Sequence, residues 1–322
     1  MPRPHIYIHR IGAWAPRYFT DANRKLLAEF ADFTDDSALE KAPAELGPHL
    51  GKADGILSFN GTGAEDITGE LLRQAPSVKV ASISHWFHGS HDRATKAWRT
   101  AGVAIIDASD GNNFAVAQWT LGAMITGVFR FAELDRAMRS GVEWPDHHFT
   151  STILDRHRVG LVGLGRIGRL VAGLLKPFNV DLVGYDKYVG ADRARDRGVR
   201  WMPLDELVRT STIISFHLPV TDETRRMITR KHIESIPQDA LLLNSARTAI
   251  LDYDAFVEGL RVGRFRAIVD VFEPEPPALD DPLRTLPNVV MTPHIAGSTA
   301  HMCGVCGRVA IDALREWFVE RR

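Results

Sequence analysis

Between Arg158 and Pro177 the chain reads RVGLVGLGRIGRLVAGLLKP. An apolar run ends at Gly163, further glycines stand at 165 and 168, and an amphipathic pattern continues to Lys176-Pro177. A strand that turns through glycines straight into a helix leaves few folds open. It belongs to a parallel βαβ unit, in which glycine permits the tight turn and lets helix and strand approach closely. Parallel strands are buried on both faces and so read as continuous apolar runs. Such runs recur at HIYI (5–8), GILSF (55–59), KVASIS (79–84) and GVAIID (102–107). After the glycine segment they return at VDLVGYD (180–186), VRWM (199–202), TIISFHL (212–218), ALLLNS (240–245), AIVDVF (267–272) and NVVMT (288–292). Helical patterns separate several of them. The solution is α/β, with doubly wound parallel sheets.

Phe114, Ala117, Leu121, Met124, Ile125 and Val128 fall at helical spacing. With Asn113 as cap and Gly141 as stop, they predict one long helix over about 113–139 that leads into a second domain. LDYDAFVEGLRVG predicts another, capped by Asp252 and stopped by Gly263. A length of 322 residues suits two domains. Net charge is −1, which gives no bias toward nucleic acid or membrane. No apolar run approaches the roughly 20 residues of a bilayer span, and the N-terminus lacks a signal-peptide core. The two cysteines, Cys303 and Cys306, exclude a disulfide framework and point to the cytoplasm. Their CxxC lies in a helical pattern without a second ligand pair, so two small helix residues are a better reading than a metal site.

The glycines do more than turn the chain. Gly163, Gly165 and Gly168 form GxGxxG between strand and helix, where a dinucleotide's pyrophosphate can approach the backbone. The next strand ends in Asp186, whose carboxylate suits ribose hydroxyls and repels the extra phosphate of NADP. NAD is the expected cofactor. Lys187 is a counter-signal, because a cation could help that phosphate.

Ligands of open α/β sheets bind beyond the carboxyl ends of the strands. At those ends stand His217, Arg247, Asp270 with Glu275, and His294. With 31 arginines and 13 histidines in the chain, each alone would read as a salt bridge or a structural ring. Together, behind a dinucleotide motif, they are the equipment for hydride transfer to a 2-keto acid. A guanidinium fork can hold a carboxylate and its neighbouring carbonyl. A histidine can exchange the carbonyl proton, and a carboxylate behind it orients the ring and favours its charged form.

The segments VGLVGLGRIGRLVA, ISFHLPVTDETRRMI, LLLNSARTAILDYDAF, AIVDVFEPEP and LPNVVMTPHIAGST resemble, in that order, the D-isomer-specific 2-hydroxyacid dehydrogenases. NNFAVAQWTLGAMI resembles the family's crossing helix, with Gln118 where glutamate is usual. The resemblance implies a Rossmann cofactor domain over 113–295 inserted into a flavodoxin-like substrate domain made of 1–112 and 296–322. It implies Arg247, Glu275 and His294 as the catalytic set, with Glu275 favoured over Glu273 because the family's acid stands five positions after Asp270, directly before a proline. It places Arg166 and Ile167 in the pyrophosphate loop, the backbone around Leu218 and Ser245 along the cofactor cleft, and Asp270 near the nicotinamide amide. It also implies a homodimer made largely through the cofactor domains.

The chain departs from the family twice. Thr248 stands where glycine is preferred, which would strain any turn needing positive φ. SHWFHGSHDR (84–93) replaces a smaller, glycine-rich loop that holds the substrate carboxylate, putting Phe87, His88 and Gly89 at the substrate. The expected activity is NAD-dependent interconversion of a small 2-keto acid and its D-2-hydroxy acid. Two alternatives stand beside it: a cofactor-sensing, corepressor-like binding protein on the same scaffold, and a dehydrogenase of another small anion such as phosphite.

Overall fold

The computed structural model describes residues 3–84, 90–144 and 151–320. The chain divides into two compact units, residues 1–112 with 298–322, and residues 113–297. Each is built on its own parallel sheet.

The first unit holds β1 (His5–Ile8), β2 (Asp32–Asp35), β3 (Gly55–Ser58), β4 (Val80–Ile83) and β5 (Ala104–Asp107) in the order β2-β1-β3-β4-β5. Successive residues serve opposite faces. Ile6, Ile8, Leu57 and Val80 meet Tyr18, Phe19 and the helix Met302–Arg315 through Cys306, Ile311 and Leu314. Tyr7, Ile56, Ala81 and Ile83 meet Leu50, Leu72 and Trp98 on the other face. This two-sided burial explains the continuous apolar runs. β2 has no such run. DFTD is a polar edge strand, paired to β1 from Asp32 opposite His5 to Asp35 opposite Ile8. Cys303 and Cys306 are unlinked and buried within their helix.

The second unit holds β6 (Arg158–Val162), β7 (Asp181–Tyr185), β8 (Arg200–Trp201), β9 (Ile213–Phe216), β10 (Ala240–Asn244), β11 (Phe265–Val269) and β12 (Val289–Met291). Their order is β12-β11-β10-β9-β6-β7-β8. The chain runs outward from β6 to one edge, then returns across it to β9 and continues to the other edge. The strand order reverses at β6, which is where a doubly wound sheet opens a crevice beyond its strand ends. All strands of both sheets are parallel. Doubly wound α/β architecture therefore holds in both units, with the flavodoxin-like order in the first and the Rossmann-like order in the second.

One expected helix is two. Residues Asn113–Val128 form the first and Phe131–Arg139 the second, because Arg130 adopts a left-handed backbone at φ 57°. That conformation costs a non-glycine residue roughly 1–2 kcal/mol. The Arg130 guanidinium donates to Asp239 at 3.1 Å and lies 3.3 Å from Glu133, contacts that hold the break in place. Apolar periodicity continues across the break, so the pattern alone does not reveal it. The first helix lies close on β10: a Cβ at Gly127 would stand 2.3 Å from Leu241. The second helix buries none of its residues.

Candidate active site

The three glycines after β6 serve three distinct needs. Gly163 has φ +100°, and a Cβ there would lie 2.4 Å from the His217 carbonyl oxygen. Gly168 sits on the first turn of the helix Arg166–Leu175, where a Cβ would lie 2.1 Å from the Gly163 carbonyl oxygen. Gly165 precedes that helix and, among the described residues, has nothing within 4 Å of its Cβ position. Two glycines thus close the strand–helix packing, and the third leaves open space at a helix N-terminus, where backbone N–H groups and the helix dipole favour an anion. This fits a dinucleotide's pyrophosphate. Arg166 and Ile167 open the helix beside that space.

Asp186 directly follows β7. One carboxylate oxygen accepts from Leu164 N at 2.8 Å, and the other from Tyr188 N at 2.7 Å and Val189 N at 3.0 Å. The side chain therefore ties the tip of β7 to the middle of the glycine loop. The oxygen bound to Leu164 N retains acceptor capacity for a hydroxyl.

At the end of β10 the buried Asn244 shapes the turn. Its side-chain oxygen accepts from Ala246 N at 3.0 Å, and its amide donates to the Arg247 carbonyl at 3.1 Å. Ser245 lies half-buried within this turn. Arg247 is extended, at φ −158° and ψ 149°, and half-buried. Its guanidinium donates to the Ala246 carbonyl at 2.6 Å and forms no ion pair among the described residues. Burial lowers its pKa, and the charge of Glu275 opposes that shift. The strain expected at Thr248 is absent. Thr248 begins a short 3-10 turn, Thr248–Ile250, and is not among the positive-φ residues. A β-branched side chain therefore fits without backbone cost.

His294 and Glu275 meet. His294 Nδ1 is 2.7 Å from one Glu275 carboxylate oxygen, and the other accepts from Phe272 N at 2.8 Å. Burial raises the Glu275 pKa, but hydrogen bonds from His294 and Phe272 and the positive charges of His294 and Arg247 outweigh it and hold the carboxyl below its ordinary value. With Nδ1 committed to a carboxylate, Nε2 is the ring nitrogen left for proton exchange. The ring is 44% exposed. Glu273, by contrast, is exposed and makes no hydrogen bond among the described residues.

Asp270 explains how His294 is aimed. It is fully buried at the end of β11, and its carboxylate accepts from Thr292 Oγ1 at 2.5 Å, Ile295 N at 2.8 Å and Ala296 N at 2.8 Å. His294 N donates to the Asp270 carbonyl at 2.9 Å, and His294 itself has φ 53°. One buried carboxylate thus fixes a left-handed turn with the catalytic candidate at its apex. His217, just beyond β9, is different. Its Nε2 is 3.0 Å from Ser215 Oγ, and burial lowers its pKa to about 4. The ring is neutral at pH 7. Leu218 is half-buried next to it.

The structure thus brings Arg247, Glu275 and His294 to the carboxyl ends of neighbouring strands, on the edge that carries the glycine loop. Phe87, His88 and Gly89 lie outside the described residues. Sequence reasoning missed Asn244 and Thr292. Their signal was slight: a polar residue closing an apolar run.

A family model described as "D-isomer specific 2-hydroxyacid dehydrogenase, NAD binding domain" matches residues 121–296. The chain belongs to the D-isomer-specific 2-hydroxyacid dehydrogenase family. NAD is the cofactor of the matched domain. The chain is 31% identical to a D-3-phosphoglycerate dehydrogenase of Methanocaldococcus jannaschii, over 91% of this chain and 54% of that protein. It is 30% identical to a glyoxylate reductase of Thermofilum pendens, over 93% of this chain and 87% of that one. It spans about half the length of the phosphoglycerate dehydrogenases it matches. In fold it is similar to D-mandelate dehydrogenase of Rhodotorula graminis, at TM-score 0.78 and 21% identity over 99% of this chain and 96% of that one.

Proposed function

We propose that this member of the family is an NAD-dependent oxidoreductase that interconverts a small 2-keto acid and its D-2-hydroxy acid. The observation that carries the reading is the 2.7 Å contact between His294 Nδ1 and Glu275, which leaves Nε2 for proton exchange on the same strand edge as Arg247, an arginine that forms no ion pair among the described residues. When bound, NAD carries the hydride that the keto carbon gains or the hydroxy carbon loses. Arg247 binds the substrate carboxylate and the carbonyl oxygen through its fork. His294 donates a proton from Nε2 to that oxygen in reduction and accepts it in oxidation. Glu275 holds the ring and balances its charge. Asp270 and Asn244 act through the backbone turns that carry His294 and Arg247. Asp186 favours NAD over NADP.

The test follows NADH oxidation against a panel of 2-keto acids that includes glyoxylate, with D-3-phosphoglycerate and phosphite assayed in the oxidative direction. Turnover of a keto acid supports the reading, and turnover of phosphite alone replaces it. NADH binding without turnover of any member favours a cofactor-sensing protein.

We also infer that the protein is a cytoplasmic homodimer. Two unlinked cysteines suit a reducing compartment. Phe129, Phe131, Met138, Val142 and Trp144 are exposed on and around a helix with no fully buried residue. Such an apolar surface suits a second copy.

A further inference from the structure

In the second sheet β6 lies between β7 and β9, so the loops beyond β7 and β9 flank the glycine loop. Glu223, in the loop after β9, reaches the loop after β7. One of its oxygens is 2.7 Å from Lys187 Nζ, and the other accepts from the Tyr188 hydroxyl at 2.5 Å. The turn that carries Glu223 is internally tied. Thr221 N donates to Thr224 Oγ1 at 2.8 Å, Thr224 Oγ1 donates to the Pro219 carbonyl at 2.6 Å, and Arg225 N donates to the Thr221 carbonyl at 2.9 Å. Lys187 directly follows Asp186, the carboxylate fixed against Leu164 N. The tip of β7 therefore gathers two carboxylates and one ammonium, and the ammonium is taken by Glu223.

We propose that Glu223 is a cofactor-specificity residue: it denies the Lys187 ammonium to the extra phosphate of NADP and adds a second negative charge beside Asp186. The inference rests on the NAD reading above and supplies what the bare Asp186–Lys187 pair leaves undecided. A free lysine next to the ribose-binding carboxylate would offset the repulsion of a phosphate, whereas a lysine saturated by a carboxylate does not. Tyr188, held by the other oxygen, fixes Glu223 in that position. Arg197, whose guanidinium donates to the Leu164 carbonyl, is a cation near the same loop. It is unchanged in every variant below and so forms a constant background. Lys187 and Glu223 are 57% and 52% exposed, and exposed pairs contribute little to stability, so variants at both positions should fold.

The experiment measures the affinities of NADH and NADPH by cofactor fluorescence for the wild type, Glu223→Gln, and Glu223→Gln with Lys187→Met. Melting temperatures without cofactor check the fold of each. Glu223→Gln should raise NADPH affinity relative to NADH by about two- to fivefold, the range of one contact between exposed charges. Adding Lys187→Met should remove most of that gain. An unchanged ratio in Glu223→Gln overturns the proposal. So does an equal gain in single and double variants, which would exclude Lys187 as the agent. A wild type that binds no NADH defeats the underlying cofactor reading, and this inference with it, and is visible before any variant is compared.

Discussion

Arg247 and His294 occupy similar places, each beyond a strand end, yet the residues around them assign different work. Among the described residues Arg247 pairs with no carboxylate and donates only to the neighbouring Ala246 carbonyl, so its loss should leave the fold intact. Arg247→Lys keeps the charge and loses the planar fork. It should raise KM for the keto acid and lower kcat, together about 10- to 100-fold in kcat/KM, the worth of a charge-assisted hydrogen bond of roughly 1.5–3 kcal/mol. NADH affinity and melting temperature should stay near wild type. A lowered melting temperature with normal kinetics would assign the residue to the fold instead. His294→Ala should lower kcat by about 10²–10⁴-fold, the usual range for a general acid–base group. His217→Asn should retain most of it. If His217→Asn is the dead variant and His294→Ala is not, the roles are reversed. His217 also has a signature in stability. Its folded pKa of about 4 lies below the ordinary 6.5, so as pH falls from 6.5 toward 4 the unfolded chain takes up a proton that the folded one refuses. Stability should decline across that window and be unaffected by this ring above it. Melting temperatures from pH 7 to pH 4 should decline less steeply in His217→Asn. Glu275 works at the acid end, since its depressed carboxyl stabilises the fold above the ordinary value of 4.5 and that contribution is lost on further acidification.

Every apolar run read from the sequence overlaps a strand. The central strands are covered on both faces and have no polar side to blur them, and the edge strands β5, β8 and β12, although only partly buried, still carry apolar residues. DFTD went unread as β2, since an edge strand with charged residues resembles a loop. The break at Arg130 was hidden because apolar spacing continues through it, and its stabilising partner Asp239 is 109 residues distant. The catalytic candidates were visible as polar residues ending apolar runs. What aims them was not: the grip of Asp270 on Ile295 and Ala296 uses backbone N–H groups, which leave no mark on residue identity. The glycine loop offers a test at this scale. Gly163→Ala and Gly168→Ala each drive a methyl into a backbone oxygen, so both should lower the melting temperature and abolish NADH binding. Gly165→Ala meets nothing, so it should melt like wild type and lose only NADH affinity. Normal NADH affinity in Gly165→Ala would show that the open space above this residue is not where the cofactor's pyrophosphate lies.

The whole molecule raises a question that neither sheet answers alone: what covers the helix Phe131–Arg139. Phe131 and Met138 stand seven residues apart, on one side of it, and are 54% and 47% exposed. Phe129 continues the patch, its ring centroid 5.5 Å from that of Phe131, and Val142 and Trp144 follow at 46% and 71% exposure. Large side chains clustered this way are costly in water, at roughly 25 cal/mol per Å² of apolar surface. The left-handed residue Arg130 turns the helix away from the line of its predecessor and is held there by Asp239, so the projection is built into the fold. A second copy bringing the same patch would bury it under two-fold symmetry. The expected particle is therefore a dimer of the 35.8 kDa chain, and its melting temperature should rise with protein concentration. Phe131→Asp with Met138→Asp should yield a folded monomer, because the helix buries none of its residues in its own unit. That monomer should bind NADH, since the glycine loop and Asp186 do not depend on this helix. Light scattering coupled to gel filtration decides the matter. A monomeric wild type would remove the dimer, and a double variant that stays dimeric would move the interface to another surface.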